Sequence, residues 1–172
     1  MRILGYPLCK LGALLKLAKA TMRIRTSMLI NKPPEELWPL LCRSRMDPRI
    51  PCYFRLGMPK PVECRLPDGV GGVGQRRECI SNRGVIHQRI QKWEEPTRLR
   101  FAMEDTTLYF HPCVTAMADE FVLVPVGERQ TKITRTTDIN VIGFAKLAKS
   151  LAMGAGMKCI HRYVFKNWAS AI

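Results

Sequence analysis

Residues Gly143 to Ile172 read GFAKLAKSLAMGAGMKCIHRYVFKNWASAI and predict a long terminal helix. At about 100° per residue, one apolar stripe falls on a single helix face. Its members are Phe144, Leu147, Ala148, Leu151, Ala152 and Ala155. A second stripe lies roughly half a turn away from the first. Its members are Met157, Ile160, Val164 and Trp168. One straight helix on one sheet cannot bury both stripes.

Two arrangements resolve this conflict. The helix either breaks at its glycines, so that both stripes turn onto the same sheet, or leaves one stripe to face a partner or a membrane. We predict a break or kink near Gly154 to Gly156.

The chain before this helix predicts a strand, two short helices and an antiparallel meander. Met22 to Ile30 alternates like a half-buried strand, Pro33 to Met58 holds the helices, and Val62 to Leu66 is a brief strand. Turn residues separate five further strands. These lie at about Gly74 to Ser81, Gly84 to Trp93, Arg98 to Glu104, Thr115 to Val126 and Gln130 to Ile139. Strands grouped together with helices at the ends indicate an α+β fold with about seven strands.

Three stretches of the chain carry a family resemblance: INKPPEELW at Ile30 to Trp38, GVGQRR at Gly72 to Arg77 and IQKWEEPTRLRF at Ile90 to Phe101. They resemble the START-like helix-grip superfamily, SRPBCC, which includes polyketide cyclase/dehydrase and lipid-transport members. The resemblance covers 22–172, expected to be a single helix-grip domain, and leaves out residues 1–21. It implies a curved antiparallel sheet wrapped around the C-terminal helix, with a mostly apolar cavity between them. The break predicted near Gly154 to Gly156 would make the helix a hinged lid over this cavity.

Such a cavity would bind an apolar ligand and orient it with a few polar groups. Aromatic residues of the predicted strands and helix are candidates for its wall, although a filled core would use the same residues. Arg135 is a candidate for meeting an anionic head group, although a surface position is the usual one for an arginine on a strand. The expected ligand-binding residues are Trp93, Phe101, Tyr109, Phe121, Arg135, Phe144, Leu147 and Leu151.

Catalytic and metal-binding signals are sparse. His87 is a candidate general base if its strand face lines the cavity, but Ile86 and Ile90 compete for that side. The histidines and cysteines near positions 111–113 and 159–161 do not have a zinc-site spacing, so we expect no metal and no other cofactor. The glycine run at Gly69 to Gly74 lacks the lysine and following helix of a phosphate-binding loop.

The formal net charge is +14, and the two ends of the chain carry most of it. Met1 to Lys32 and Gly143 to Ile172 together hold 12 of the 28 lysines and arginines and no acidic residue. An anionic membrane surface is therefore a possible partner, although a solubilising charge explains the pattern equally well. Residues 1–21 fit a basic apolar helix that lies on a membrane or packs on the domain. Few aromatics interrupt the basic segments, which disfavours nucleic acid.

Seven scattered cysteines without a C-x-x-C pair predict reduced thiols and a cytoplasmic protein, with peripheral membrane contact as an option. The leading functional hypothesis is binding or transport of a hydrophobic or amphipathic small molecule, such as a lipid, polyketide or aromatic compound. A cyclase/dehydrase-type enzyme acting on such a ligand is the alternative, and a basic interaction module is the third. The sequence leaves the oligomeric state open.

Overall fold

Alternating apolar and polar side chains organise most of the chain into one sheet. The computed structural model describes residues 20–142 and 146–171, and side chains within 21–142 and 148–171. The elements in chain order are β1 (Ala20–Ile30), α1 (Pro34–Cys42), β2 (Ser44–Arg45), a 3₁₀ helix (Cys52–Leu56), β3 (Pro61–Arg65), β4 (Arg76–Ser81), β5 (Gly84–Glu94), β6 (Arg98–Thr106), a 3₁₀ turn (His111–Cys113), β7 (Val114–Pro125), β8 (Thr131–Val141) and α2 (Lys146–Ser170).

The sheet has the strand order β1-β8-β7-β6-β5-β4-β3-β2, and all neighbouring strands are antiparallel. Strand β1 pairs with β8 along its whole length, from Ala20 opposite Val141 to Ile30 opposite Thr131. Helix α2 packs against these two strands. This is the helix-grip architecture that the sequence resemblance predicted.

The predicted meander strands agree with the observed ones to within two residues at each end. The sheet has eight strands rather than about seven, because Ser44 and Arg45 pair with β3 as a two-residue strand. Of the two short helices expected after β1, the first is α1 and the second is the 3₁₀ helix Cys52–Leu56. The predicted N-terminal segment, residues 1–21, lies outside the described residues except for its last two, which begin β1.

The main core joins α1, the inner face of the sheet and the C-terminal half of α2. Trp38 of α1, Phe121 of β7 and Phe165 and Trp168 of α2 are all buried in it. A smaller, methionine-rich cluster surrounds Ile139, with Met153 and Met157 of α2 packed at its margin. The two halves of α2 therefore differ, because only the second half is buried in the main core.

Helix α2 continues without interruption through Gly154 and Gly156, so the predicted break is wrong. The glycines instead permit close approach of other side chains. A Cβ atom on Gly154 would lie 3.3 Å from the Met22 sulfur, and one on Gly156 would lie 2.9 Å from the Met58 sulfur. Packing on both sides thus outweighs the roughly 1 kcal/mol that each glycine costs a helix relative to alanine.

The uninterrupted helix leaves part of the first apolar stripe, Ala148, Leu151 and Ala155, facing outward. Leu151 is 67% exposed, and Ala148 and Ala155 are exposed as well. Phe144 lies outside the described residues, as does the side chain of Leu147. The second stripe faces the sheet. The unbroken helix is the alternative arrangement that the sequence allowed, in which one stripe faces something other than the protein's own core.

A buried chain of hydrogen bonds ties α2 to the sheet. Arg135 Nε donates to Asp119 Oδ1 at 2.8 Å, and the hydroxyl of Thr137 donates to the same carboxylate oxygen. Thr137 Oγ1 lies 2.8 Å from Nε2 of His161, a fully buried residue of α2. On the other side of the ring, Nδ1 lies 3.1 Å from Thr26 Oγ1. The chain therefore links β7, β8, α2 and β1.

The donors and acceptors in this chain of hydrogen bonds fix the tautomer of His161. Thr137 gives its only hydroxyl proton to Asp119, so its oxygen accepts the proton of His161 Nε2, and Thr26 donates to Nδ1. Burial lowers the pKa of His161 to about 3, with the positive charge of Arg135 acting in the same direction. The imidazole is therefore neutral at physiological pH.

This pKa makes the stability of the fold depend on pH. An unfolded histidine has a pKa of about 6.5, so between that value and about 3 only the unfolded chain holds the extra proton. The free energy of unfolding should fall as pH falls through this window, by up to about 1.4 kcal/mol per pH unit. Urea unfolding from about pH 7 to about pH 4.5 should show this slope, and His161→Gln should remove it.

The control is His111→Gln, since His111 is exposed and lies outside the chain of hydrogen bonds. The control protein should keep the slope of the unsubstituted protein. Equal slopes in the His161→Gln and unsubstituted proteins would contradict the buried neutral histidine.

Candidate functional site

A cavity of about 1100 Å³ lies between the inner face of the sheet and α2. Ligand pockets in proteins usually measure about 300 to 1000 Å³, so this one is large enough for a lipid-sized molecule. Most of the side chains around it are apolar. On the sheet side they include Ile86, Phe101, Met117, Phe121 and Ile139.

One face of α2 forms the opposite wall. Because the helix is unbroken, residues three or four positions apart line up along it. Ala152, Met153 and Gly156 lie on this face toward the N-terminal end, followed by the whole second stripe. The second stripe identified in the sequence, Met157, Ile160, Val164 and Trp168, therefore lines the cavity.

Strand β4 contributes polar side chains to the cavity. Alternate residues Arg77, Cys79 and Ser81 line it, while Arg76 on the other face of the strand is exposed. Because successive side chains of a strand point to opposite faces, this alternation gives β4 a polar inner face. Gln88 of β5 lies beside it and accepts a hydrogen bond from Arg77 Nη1.

Arg77 is only 3% exposed. Its Nη2 donates to the carbonyl oxygen of Leu41 at 3.2 Å, and its guanidinium lies 4.2 Å from the centre of the Phe101 ring. None of the described carboxylates forms an ion pair with it, and its Nε–H has no hydrogen-bond acceptor among the described residues. A buried guanidinium without a carboxylate partner is costly, so its free Nε–H is available to an acceptor in the cavity.

A second arginine is differently placed. Arg135 forms an ion pair with Asp119 at 2.8 Å, and both side chains are nearly buried at the edge of the cavity. Burial alone would raise the pKa of Asp119, but Arg135 and Thr137 outweigh it and hold the pKa below its ordinary value. The carboxylate therefore stays ionised, and both donors bind its Oδ1.

Trp168 adds another hydrogen-bond donor. Its side chain lines the cavity and is buried, yet its indole Nε1–H finds no acceptor among the described residues. Buried tryptophans usually place this group on a partner. Two of the four buried, unsatisfied side-chain atoms in the described part of the chain thus belong to Arg77 and Trp168, both on the cavity wall.

Four of the predicted ligand-binding residues line this cavity. Phe101 and Phe121 are buried in its wall, Tyr109 lies half-exposed at its edge, and Arg135 is held there by Asp119. The Tyr109 hydroxyl donates to the carbonyl oxygen of Gly57 at 3.3 Å.

The remaining candidates lie elsewhere or outside the described residues. Trp93 does not line the cavity and packs edge-on against Trp38, with the ring centres 5.0 Å apart. Leu151 is on the outer face of α2. Phe144 and the side chain of Leu147 are not described.

His87, the candidate general base, lies outside the cavity. Its side chain is 43% exposed, and Nδ1 lies 3.4 Å from Glu78 Oε1 on the neighbouring strand. Ile86 and Gln88, on either side of it in the chain, are the residues of β5 that line the cavity. His87 was a candidate general base only if its face of β5 lines the cavity. Because the opposite face lines it, this condition is not met.

Sequence reasoning missed Arg77, Gln88 and the cysteine pair Cys64 and Cys79. A signal was present, because Arg77, Cys79 and Ser81 alternate in β4 opposite the exposed Arg76. In a sequence, however, a polar strand face that points into a cavity has the same pattern as one that points to solvent. Only the burial of Arg77 in the structure distinguishes the two faces of β4.

The structure also refines the cysteine chemistry. Cys42, Cys52, Cys64, Cys79 and Cys159 are free thiols. Cys113 is disulfide-bonded, so the expectation that all seven cysteines are reduced is wrong.

Among the described residues, no three histidine, cysteine, aspartate or glutamate side chains come together as metal ligands. None of the described helices is long and apolar enough to cross a membrane.

Comparison with solved structures identifies the same architecture in other proteins. Ginseng major latex-like protein 151 from Panax ginseng has a TM-score of 0.59 at 11% identity over 87% of this chain and 96% of that one. The protein TTHA0849 from Thermus thermophilus has a TM-score of 0.60 at 14% identity, covering 86% and 94%. Truncated norcoclaurine synthase from Thalictrum flavum has a TM-score of 0.56 at 15% identity, covering 92% and 100%.

These likenesses show the fold, and the predicted resemblance is confirmed at that level. No protein-family model matches the sequence, and no curated protein sequence matches it.

Proposed function

We propose that this protein binds and carries a hydrophobic or amphipathic small molecule, such as a lipid, a polyketide or an aromatic compound, in the cavity between sheet and α2. The observation that carries the proposal is the cavity itself, about 1100 Å³ with a predominantly apolar wall. An empty apolar space of this size sacrifices packing that a closed core would gain, so a ligand is the simplest reason for it.

The polar groups of the cavity favour an amphipathic ligand with an oxygen-bearing head. The free Nε–H of Arg77 and the indole N–H of Trp168 both lack acceptors among the described residues. Among the charged side chains buried there, Arg77 and Arg135 face only Asp119 as a carboxylate. An acidic head group would give Arg77 a carboxylate partner, and charge-assisted hydrogen bonds are the stronger kind.

Binding explains this geometry better than catalysis does. Norcoclaurine synthase shows that a protein of similar fold can be an enzyme. Here Asp119 is the only described carboxylate that lines the cavity, and Arg135 and Thr137 both donate to its Oδ1. Its lowered pKa also makes it a weak proton acceptor. A cyclase or dehydrase that used a carboxylate as its general base would need one with a pKa nearer neutrality.

The outward stripe of α2 bears on the membrane-surface hypothesis. Leu151 and Ala155 are exposed on the same helix as the exposed Lys158, Arg162 and Lys166. Apolar side chains followed by basic ones fit an anionic lipid surface. Membrane contact stays a prediction, and co-sedimentation with anionic vesicles would test it. A salt-dependent preference for nucleic acid over vesicles would instead favour the basic interaction module.

Filling the cavity should weaken ligand binding. In Met157→Trp the larger side chain occupies space between α2 and the sheet, and the dissociation constant for a long-chain fatty acid should rise at least about tenfold, or about 1.4 kcal/mol. The matched control is Leu151→Trp, on the exposed face of the same helix. Titration of delipidated protein with a fluorescent fatty acid measures both, and equal affinities would contradict the cavity as the binding site.

The head-group proposal has its own test. The unsubstituted protein should bind a long-chain fatty acid about tenfold more tightly than the alcohol of the same chain length, because a hydrogen bond to a charged group contributes about 1.5 to 3 kcal/mol. Arg77→Met should remove this preference, with Arg76→Met, on the exposed face of β4, as the control. Competition against the fluorescent ligand gives the two dissociation constants.

An acid and an alcohol that bind equally to the unsubstituted protein would contradict the role of Arg77. They would leave the apolar cavity as the binding site.

A further inference from the structure

Two free cysteines face each other on neighbouring strands inside the cavity. Cys64 of β3 and Cys79 of β4 are direct partners in the antiparallel register. Their sulfur atoms lie 3.6 Å apart, and both residues line the cavity. No part of the carrier function requires two thiols at this position.

The geometry permits a bond between them. Directly opposed residues of antiparallel strands have Cα atoms about 4.5 to 5.5 Å apart, within the range that disulfides span. Closing the present gap of 3.6 Å to the bonded distance of about 2.05 Å requires movement of side chains and little of the backbone. The pair is thus placed to form a cross-strand disulfide.

The surroundings make the two thiols unequal. A hydrogen bond with Cys79 lowers the pKa of Cys64 below its ordinary value, and the positive charges of Arg77 and Arg135 act in the same direction against the effect of burial. The same hydrogen bond raises the pKa of Cys79 well above its ordinary value. Cys64 is therefore the nucleophile of the pair and Cys79 its proton-bearing neighbour, the arrangement of a reactive thiol beside a resolving one.

We propose that Cys64 and Cys79 form a redox-active dithiol that reduces hydroperoxides entering the cavity and closes to a cross-strand disulfide. The site depends on the cavity but not on the carriage of a lipid. Its substrate class is an organic hydroperoxide with an apolar body, because the cavity that holds the two thiols has a predominantly apolar wall.

The chemistry balances in two steps. The Cys64 thiolate attacks the outer oxygen of ROOH, the O–O bond breaks, and the alkoxide takes a proton to leave as the alcohol ROH, which makes Cys64 a sulfenic acid. The Cys79 sulfur then attacks the Cys64 sulfur, the S–O bond breaks, and hydroxide leaves as water with the Cys79 proton. Two thiols and ROOH give one disulfide, ROH and water, with two electrons passing from sulfur to the peroxide. An added dithiol restores both thiols by exchange.

Exposure alone predicts a different reaction site. Cys52 is exposed, whereas Cys64 is only 6% exposed to solvent. If surface access decided reactivity, peroxide would oxidise Cys52 first. The proposal requires the reverse order, since the thiolate and its resolving partner are inside the cavity.

The test treats the folded, dithiol-reduced full chain with one equivalent of cumene hydroperoxide, followed by peptide mapping under non-reducing conditions. The expected product is a disulfide between the peptides that hold Cys64 and Cys79, with loss of two thiols per peroxide consumed. Cys79→Ser should stop at a sulfenic acid on Cys64 that dimedone traps, and Cys64→Ser should lose both products. The control Cys52→Ser should keep the disulfide.

Oxidation of Cys52 ahead of Cys64, or no Cys64 to Cys79 disulfide in several-fold excess peroxide, would overturn the proposal. A second measurement needs no variant. The rate of Cys64 alkylation by iodoacetamide in the unsubstituted protein should rise with a midpoint below the ordinary thiol pKa, since Cys79, Arg77 and Arg135 are the groups that lower the pKa of Cys64. A midpoint at the ordinary thiol value of about 8.5 would overturn the proposal equally.

Discussion

The attachment of α2 to the sheet through its C-terminal half is the constraint on which the rest of the structure depends. Phe165 and Trp168 are buried in the main core, and His161 is hydrogen-bonded to Thr26 and Thr137 of the paired strands β1 and β8. The N-terminal half of α2 reaches only the margin of the smaller, methionine-rich cluster. A straight helix held in this way at one end stands over the sheet, and the space beneath it is the cavity.

The attachment of α2 through its C-terminal half also explains why the cavity wall contains buried charged side chains. A filled core would force Arg77 out or pair it with a carboxylate, because unpaired buried charges are expensive. The cavity allows one face of β4 to be polar while the surrounding walls are apolar. The proposed ligand binding and the proposed thiol chemistry therefore share one origin, since Arg77 has a free Nε–H for a ligand oxygen and its charge also lowers the pKa of Cys64.

The sequence predicted the fold more fully than the site. Alternation and turn residues located the strands of the meander, because burial on one face of a strand leaves a period of two in the sequence. The same reasoning was wrong at Gly154 and Gly156, where tertiary packing against Met22 and Met58 outweighs the helix propensity of glycine. Sequence periodicity records which residues share a face but does not record how closely another element approaches it.

The residues of the cavity wall were predicted in part for a similar reason. Phe101, Phe121 and Arg135 were identified because aromatic residues and arginines on strands are conspicuous. Trp93 is equally conspicuous but packs against Trp38, since wall and core positions follow the same pattern. Arg77 and the pairing of Cys64 with Cys79 depend on contacts between strands, which a single sequence does not contain.

The central claim, that the space beneath α2 is a ligand site, is tested most directly by the indole N–H signal of Trp168 in a ¹H–¹⁵N NMR spectrum. This group lines the cavity and has no acceptor among the described residues. Adding one equivalent of a long-chain fatty acid to delipidated protein should shift the signal, which Trp168→Phe assigns by its loss. An unchanged Trp168 signal, with shifts confined to residues on the outer face of α2 such as Leu151, would contradict the account.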